Sequence, residues 1–86
     1  MKMADEKKVG TVTHFYPNIS VGIVAVSDQI KIGDKVRFLG KSTDFVQEVD
    51  DMQHDHEEVE EGKEGQEVGI KVIEKVREGD GVFLVE

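Results

Sequence analysis

Two histidines in an acidic stretch, His54 and His56, are the most site-like feature of this 86-residue sequence. Asp51, Asp55 and Glu57 flank them. Residues i and i+2 of a β-strand project to the same face, so the two imidazoles could chelate Zn²⁺ or Ni²⁺ with one carboxylate. Two histidines supply only two ligands, however. We therefore expect no functional metal site and keep the pair only as the residues that a metal would use.

The other reactive side chains form no recognisable catalytic set. The chain has no cysteine, which excludes thiolate chemistry, thiolate metal sites and disulfides. No serine lies in a nucleophile elbow and no phosphate-binding loop occurs. We expect His14 to be a packing residue on a strand. The neighbouring carboxylates of the acidic stretch could act as an acid–base pair only in a pocket that desolvates one of them. We expect a protein that is not an enzyme and that holds no cofactor.

Four residues are candidates for contact with RNA or with a protein partner. Tyr16 precedes Pro17 at the end of a predicted strand, where its ring could offer a stacking face. Lys35, Arg37 and Lys71 alternate with aliphatic or aromatic residues and should point away from the core. They are the predicted basic patch.

The charge of the chain argues against general nucleic-acid binding. The formal net charge is −8, and residues 44–67 contain eleven Asp or Glu against one base, Lys63. Binding that is independent of sequence requires Lys and Arg to displace the counterions of phosphates. An acidic domain should repel bulk DNA and RNA. We expect no DNA partner, and any tRNA contact must come from a local patch.

The elements that would position these residues are predicted from residues 31–39, a turn followed by a strand. Gly33 can adopt the positive φ of a tight turn, and the Asp34 side chain can bond nearby backbone. Val36 and Phe38 then alternate with charged residues, as in a half-buried strand. The same order of residue types recurs in 63–68 and 77–82. Three similar turns indicate a small all-β domain.

The remaining pattern predicts six or seven short strands. They are residues 9–16, 19–26, 31–39, 43–49, 54–59, 67–72 and 81–85. Met52 falls out of step with Phe45 and Val49, so we expect a β-bulge near Asp50 and Asp51. The loop at 60–65 has room for one helical turn. Short strands bounded by Gly and Asp turns favour a closed barrel or a sandwich, and side chains fill a barrel of this size.

Length and composition indicate one domain at residues 9–86, preceded by a mobile charged tail at 1–8. No apolar run approaches the ~20 residues of a membrane span, and the N-terminus lacks the apolar region of a secretory signal. The absence of cysteine suits a cytoplasmic protein. The last predicted strand reaches the end of the chain, so we expect a stand-alone module.

The order of several motifs resembles two known families. Residues 10–12, 32–36, 65–69 and 79–80 resemble domain 2 of translational GTPases such as elongation factor Tu. Residues 13–17, 43–45, 52–56, 69–72 and 76–80 are closer to the small C-terminal barrel of the collagenase-like peptidase family U32. Members of that family are associated with hydroxylation of tRNA and rRNA as well as with proteolysis. The resemblance covers about residues 8–86.

The resemblance implies a six-stranded antiparallel Greek-key β-barrel without activity, because both families keep their chemistry in other domains. The leading hypothesis is a non-catalytic module that binds a translation or RNA-modification component. A second is an accessory subunit of a split peptidase or tRNA hydroxylation enzyme. A third is direct binding of a tRNA acceptor end at Lys35, Arg37 and Lys71.

Overall fold

The computed structural model describes residues 7–85, which form β-strands and turns without a helix. The strands are β1 (Lys7–Tyr16), β2 (Val21–Val26), β3 (Ile30–Lys31), β4 (Lys35–Leu39), β5 (Asp44–Glu48), β6 (Met52–His54), β7 (Glu57–Glu58), β8 (Glu61–Gly62), β9 (Glu67–Lys71) and β10 (Gly81–Leu84). Residues 1–6 of the predicted tail and Glu86 lie outside the described part. Lys7 and Lys8 already pair with Leu84 and Phe83, so β1 begins two residues earlier than predicted.

One curved antiparallel sheet contains most of the strands. Its order is β5-β4-β10-β1-β2-β9-β6-β7, and β3 pairs with β8 in a separate two-stranded sheet. The last strand of the chain, β10, lies between β1 and β4, so neighbours in space are far apart in sequence. The predicted all-β antiparallel class is confirmed. The strand count is higher than predicted because β3, β6, β7 and β8 contain only two or three residues each.

Alternating hydrophobic side chains form a single core inside the curved sheet. Phe38 is fully buried, and its ring stacks on Phe45 with centroids 5.1 Å apart. As the alternation predicted, the hydrophobic neighbours of the three basic candidates point inward. The buried cluster is Val9, Val12, Val24, Val26, Ile30, Val36, Phe38, Phe45, Val49, Met52, Val68, Ile70, Val72, Val76 and Val82.

The three predicted turns share one geometry. Gly33 has φ +95°, and the Lys31 backbone N–H donates to the Asp34 carboxylate over 2.9 Å. The turns at Lys63–Gln66 and Arg77–Asp80 repeat both features. Each turn glycine also donates its N–H to a carbonyl elsewhere in the chain: Gly33 to Val49, Gly65 to Val26 and Gly79 to Val12. The repeated motif therefore fixes the turns and ties them to other segments.

Gln47 connects β5 to the end of β9. Its amide nitrogen donates to the Lys71 carbonyl over 2.8 Å, and its amide oxygen accepts from the Ile73 N–H over 2.9 Å. The side chain is buried and shares the inward face of β5 with Phe45 and Val49. No backbone pairing joins β5 to β9 among the described strands. The Gln47 amide therefore makes the two hydrogen bonds that the backbone of a neighbouring strand would otherwise make.

Two predicted strands differ in the structure. Residues 31–39 contain the predicted turn at Gly33 and the strand after it, β4, but the residues before the turn form a separate short strand, β3. Residues 43–49 shorten to β5, and the register change expected near Asp50 and Asp51 is a break between β5 and β6. Val49 and Met52 both point inward, with two exposed residues between them, which explains why strict alternation failed there.

The predicted strand at 54–59 is wrong, because the chain reverses in its middle. Asp55 and His56 have φ values of +54° and +67°, and they form the turn that joins β6 to β7. Such hairpin turns usually contain Asn-Gly or Asp-Gly, and Asp55-His56 lacks the glycine, so the local pattern did not indicate this one. The helical turn expected at 60–65 is also absent. That segment contains β8 and the turn at Gly65.

Candidate binding surface

The outer face of β2 and β9 carries an open groove of about 930 Å³. Val24 and Val26 point into the core, and the alternate residues Val21, Ile23 and Ala25 therefore face outward. The groove is lined by Tyr16, Ile19, Val21, Ile23, Ala25, Val26, Gln53, His54, Asp55, His56, Gly65, Gln66, Glu67 and Gly69. Its centre is aliphatic and its rim is polar.

Strand register places the outward residues in three rows across the sheet. One row contains Tyr16, Val21 and Lys71; the next contains His14, Ile23, Gly69 and Gln53; the third contains Thr11, Ala25 and Glu67. Gly69 has no side chain, so the sheet has a notch beside Ile23. The rows explain how β1, β2, β6 and β9 together build one surface.

His54 and His56 border this groove but do not share a strand face. His54 Nδ1 lies 3.0 Å from the Glu67 carbonyl oxygen, and its Nε2 lies 3.8 Å from an Asp55 carboxylate oxygen. His56 lies in the turn at the hairpin tip. Within residues 7–85, no group of three or more His, Asp or Glu side chains is arranged to hold a metal. The i, i+2 geometry assumed for a metal pair does not occur.

The four predicted contact residues lie on β1, β4 and β9. Tyr16 and Lys71 flank Val21 in the first row, and Tyr16 is 46% exposed. Lys35 and Arg37 lie on β4, which pairs with β5, and Gln47 of β5 bonds the Lys71 carbonyl at the end of β9. The basic patch of these three residues stays a prediction.

The Tyr16 ring is not a free stacking platform on both faces. His14 lies beside it with ring centroids 4.5 Å apart and planes inclined by 56°. His14 Nδ1 also lies 3.4 Å from a Glu78 carboxylate oxygen. These contacts hold two of the outward residues of β1 at the border of the groove.

Arg37 forms a two-pronged ion pair with Asp44 on the neighbouring strand. Its Nε and Nη2 donate to the two carboxylate oxygens of Asp44, each over 2.8 Å. This hydrogen bonding, together with the positive charge of Arg37, lowers the pKa of Asp44. The pair uses the Arg37 guanidinium within the barrel wall, which reduces its availability to phosphate.

This ion pair predicts a pH dependence of stability. The folded-state pKa of Asp44 lies below its unfolded value of about 3.9, so the stabilisation is present above that pH and is lost as the pH falls through the folded pKa. We expect the urea midpoint of the wild type to fall more steeply below about pH 4 than that of Arg37→Met. Lys35→Met is the control. Parallel curves for the wild type and Arg37→Met would contradict the prediction.

Sequence reasoning missed the groove for an identifiable reason. Nearly every residue of β2 is apolar or small, so alternation could not show which residues face outward. One feature of the sequence did indicate it: Gly69 lies inside a strand, between the buried residues Val68 and Ile70. Glycine inside a strand often marks the close approach of a ligand or another backbone.

Comparison with solved structures shows which fold this is. The C-terminal domain of a protein assigned to the U32 peptidases, from Geobacillus thermoleovorans, superimposes with a TM-score of 0.86 at 20% identity, covering 100% of this chain and 99% of that domain. Its selenomethionine variant gives a TM-score of 0.84 at 20% identity, covering 88% of this chain and 96% of that one. The chain has the fold of the U32 C-terminal barrel. The predicted resemblance to that domain is confirmed.

One relative matches this chain over a small part of its own length. An uncharacterised protease of Methanocaldococcus jannaschii is 41% identical over 80 residues, which are 92% of this chain. The chain spans only 20% of the length of that relative. No family model matches the chain. The resemblance of the U32-type barrel to domain 2 of elongation factors stays a prediction.

No helix in residues 7–85 has the length and apolar character needed to cross a membrane.

Proposed function

We propose that this chain is a non-catalytic β-barrel module that binds a protein partner in the cytoplasm. The partner we propose is the catalytic part of a U32-type protein, whether its substrate is a peptide or an RNA that is modified. The observation that carries the proposal is a side-chain-filled barrel that corresponds to one fifth of a protease. In such an arrangement the chemistry belongs to the remaining four fifths.

The physical form of the barrel supports a binding role. Aliphatic and aromatic side chains occupy the interior, where an enzyme of this size would need a desolvated pocket. An open groove lies on the outer face, over β2 and β9. A surface of this kind suits recognition of another macromolecule better than enclosure of a small substrate.

A reconstitution experiment tests this function. The probe is the Methanocaldococcus jannaschii protease shortened by the 80 residues that match this chain, with its folding verified by a cooperative thermal transition. We expect the 86-residue chain to bind the probe in a 1:1 complex by calorimetry and size-exclusion chromatography. The chain alone should hydrolyse no peptide above the buffer rate. Peptide hydrolysis by the chain alone, or failure to bind the folded probe, would overturn the proposal.

Direct contact with a tRNA acceptor end is the second candidate function. The observation that favours it is the row in which Tyr16 and Lys71 flank Val21, because two strand spacings put their Cα atoms about 10 Å apart on one exposed face. Stacking with one nearby cation is a common means of holding single-stranded RNA. This row contains Lys71 alone of the three predicted basic residues.

A further inference from the structure

We propose that the groove on the outer face of β2 and β9 is the surface that receives the partner. The occupant is a segment of the U32-type catalytic part that carries aliphatic side chains beside Lys or Arg. This inference rests on the proposed function and names the surface and the chemistry of the contact. Four independent features of the groove support it.

The first feature is an aliphatic strip on an outward sheet face. Val21, Ile23 and Ala25 are only half-buried, and Ile19 at the border of the groove is 57% exposed. The water-facing side of an antiparallel sheet is ordinarily polar, while its other side packs on the core. β2 is apolar on both sides, so its outer side has hydrophobic area that a partner would bury.

The second feature is the notch at Gly69. A Cβ added there would lie 3.1 Å from Val21 Cγ1 and 3.5 Å from Ile23 Cδ1. A side chain at this position would therefore cover the aliphatic strip. Glycine weakens a strand interior, and its presence often accompanies close approach by another backbone. The notch gives a protruding segment room to bring its side chains onto Val21 and Ile23.

The third feature is backbone strain on both borders of the groove. Within residues 7–85, the non-glycine residues with positive φ are Ser20, Asp55 and His56. Ser20 follows Ile19 in the turn before β2, and the other two form the hairpin tip that lines the groove. Strained conformations cluster where structure serves binding. All three lie in the two turns that shape this surface.

The fourth feature is charge. Asp55 and Glu67 line the groove, whereas none of the lining residues is Lys or Arg. RNA phosphates would be repelled by this rim, and the net charge of −8 adds to the repulsion. A protein segment with Lys or Arg beside its aliphatic residues would complement both the rim and the floor. Charge therefore favours a protein over tRNA as the occupant.

The length of the relative indicates which protein segment would occupy the groove. The matched region is 20% of the Methanocaldococcus jannaschii protease, so a barrel of this type accompanies a much larger polypeptide. When the barrel and the larger part belong to one protein, the linkage between them gives the larger part a high effective concentration at the groove. The same contact would form between separate chains if the two parts are encoded apart.

A matched pair of isoleucine variants tests the inference. Ile19 lines the groove, and Ile73 is outside it and 68% exposed. Binding of the shortened protease should weaken at least tenfold in Ile19→Glu and less than twofold in Ile73→Glu. Gly69→Ala, which fills the notch, should weaken it at least threefold while the thermal midpoint of the chain stays within a few degrees. In NMR spectra of the wild type, the probe should shift the amides of Ile23 and Gly69.

The outcomes separate this inference from the proposed function. Equal weakening by Ile19→Glu and Ile73→Glu, with wild-type binding intact, would overturn the groove and leave the proposed function standing. No wild-type binding would overturn both. If excess tRNA rather than the shortened protease shifts Ile23 and Gly69 in a salt-sensitive manner, the protein occupant is wrong.

Discussion

Gly40→Ala is expected to lower the free energy of unfolding by about 4 kcal/mol. An added Cβ would overlap the carboxylate of Asp80, which is buried and accepts the Arg77 backbone N–H over 2.8 Å. Overpacking costs about 1–3 kcal/mol, and displacing the carboxylate from its buried hydrogen bond costs about 1–3 kcal/mol more. A domain of this size has a total stability of only about 5–10 kcal/mol. Urea denaturation followed by circular dichroism measures the loss.

Gly33→Ala is the control for this prediction. Gly33 has φ +95°, but a Cβ there would meet no atom within 4 Å, so only the left-handed conformation is penalised, by about 1–2 kcal/mol. A double-mutant cycle with Asp80→Ala identifies the cause. If the overlap with the carboxylate dominates, Gly40→Ala should cost much less in the Asp80→Ala background. Additive effects of the two substitutions would contradict the explanation.

The Gly40–Asp80 contact also shows where sequence reasoning reached its limit. Asp80 lies in the predicted turn motif at 77–82, and Gly40 lies between the predicted strands at 31–39 and 43–49; both residues lie in connections between strands in the structure. Their contact depends on β10 pairing with β4, a neighbour relation between segments that are far apart in the sequence. Local patterns record turn chemistry and the inward face of a strand. They do not record which strands are neighbours, and only the family resemblance implied that.

The candidate surface was less accessible to sequence than the fold. The alternation around Phe38 and Ile70 correctly oriented Lys35, Arg37 and Lys71, because each strand has a buried side that is plainly hydrophobic. It did not show that Gln47 brings β5, the neighbour of β4, to the end of β9. The groove was missed because β2 is apolar on both sides, so alternation did not show which of its residues face outward. The hairpin at Asp55 and His56 was missed because the pair contains no glycine, which the usual two-residue hairpin turns have.

Gln47 is the residue whose importance its position could have indicated. It is the polar member of an otherwise hydrophobic inward series, Phe45, Gln47 and Val49. A buried amide persists only when its donor and acceptor are both satisfied. Here the partners are the backbone groups of Lys71 and Ile73, which have no neighbouring strand at that point. The polar Gln47 at an inward-facing position therefore indicated that β5 and β9 are joined there.

Gln47→Leu is expected to destabilise the protein by about 3 kcal/mol at every pH, because it leaves the Lys71 carbonyl and the Ile73 N–H without a partner. Gln47→Glu is expected to behave differently with pH. An ionised carboxylate still accepts the Ile73 N–H but repels the Lys71 carbonyl oxygen. A protonated carboxyl can donate to that oxygen and so reproduces both bonds of the amide.

The sign of the pH dependence follows from this difference. The protonated form is the better fit, so the pKa of the introduced carboxyl is raised in the folded state above its unfolded value of about 4.3. Its hydrogen bonding is fully present below about pH 4 and is lost as the pH rises through the folded pKa. Relative to the wild type, Gln47→Glu should lose about 3 kcal/mol at pH 7 and under 1 kcal/mol near pH 4.

Urea titrations of the wild type, Gln47→Leu and Gln47→Glu at several pH values measure these differences. Gln53→Glu is the matched control, because Gln53 is exposed on the outer face of β6 and should show little change at either pH. If the two Gln47 variants lose stability equally at pH 4 and at pH 7, the amide fills space and does not join β5 to β9. Recovery of Gln47→Glu at low pH, with none in Gln47→Leu, would identify the two hydrogen bonds as what closes the barrel.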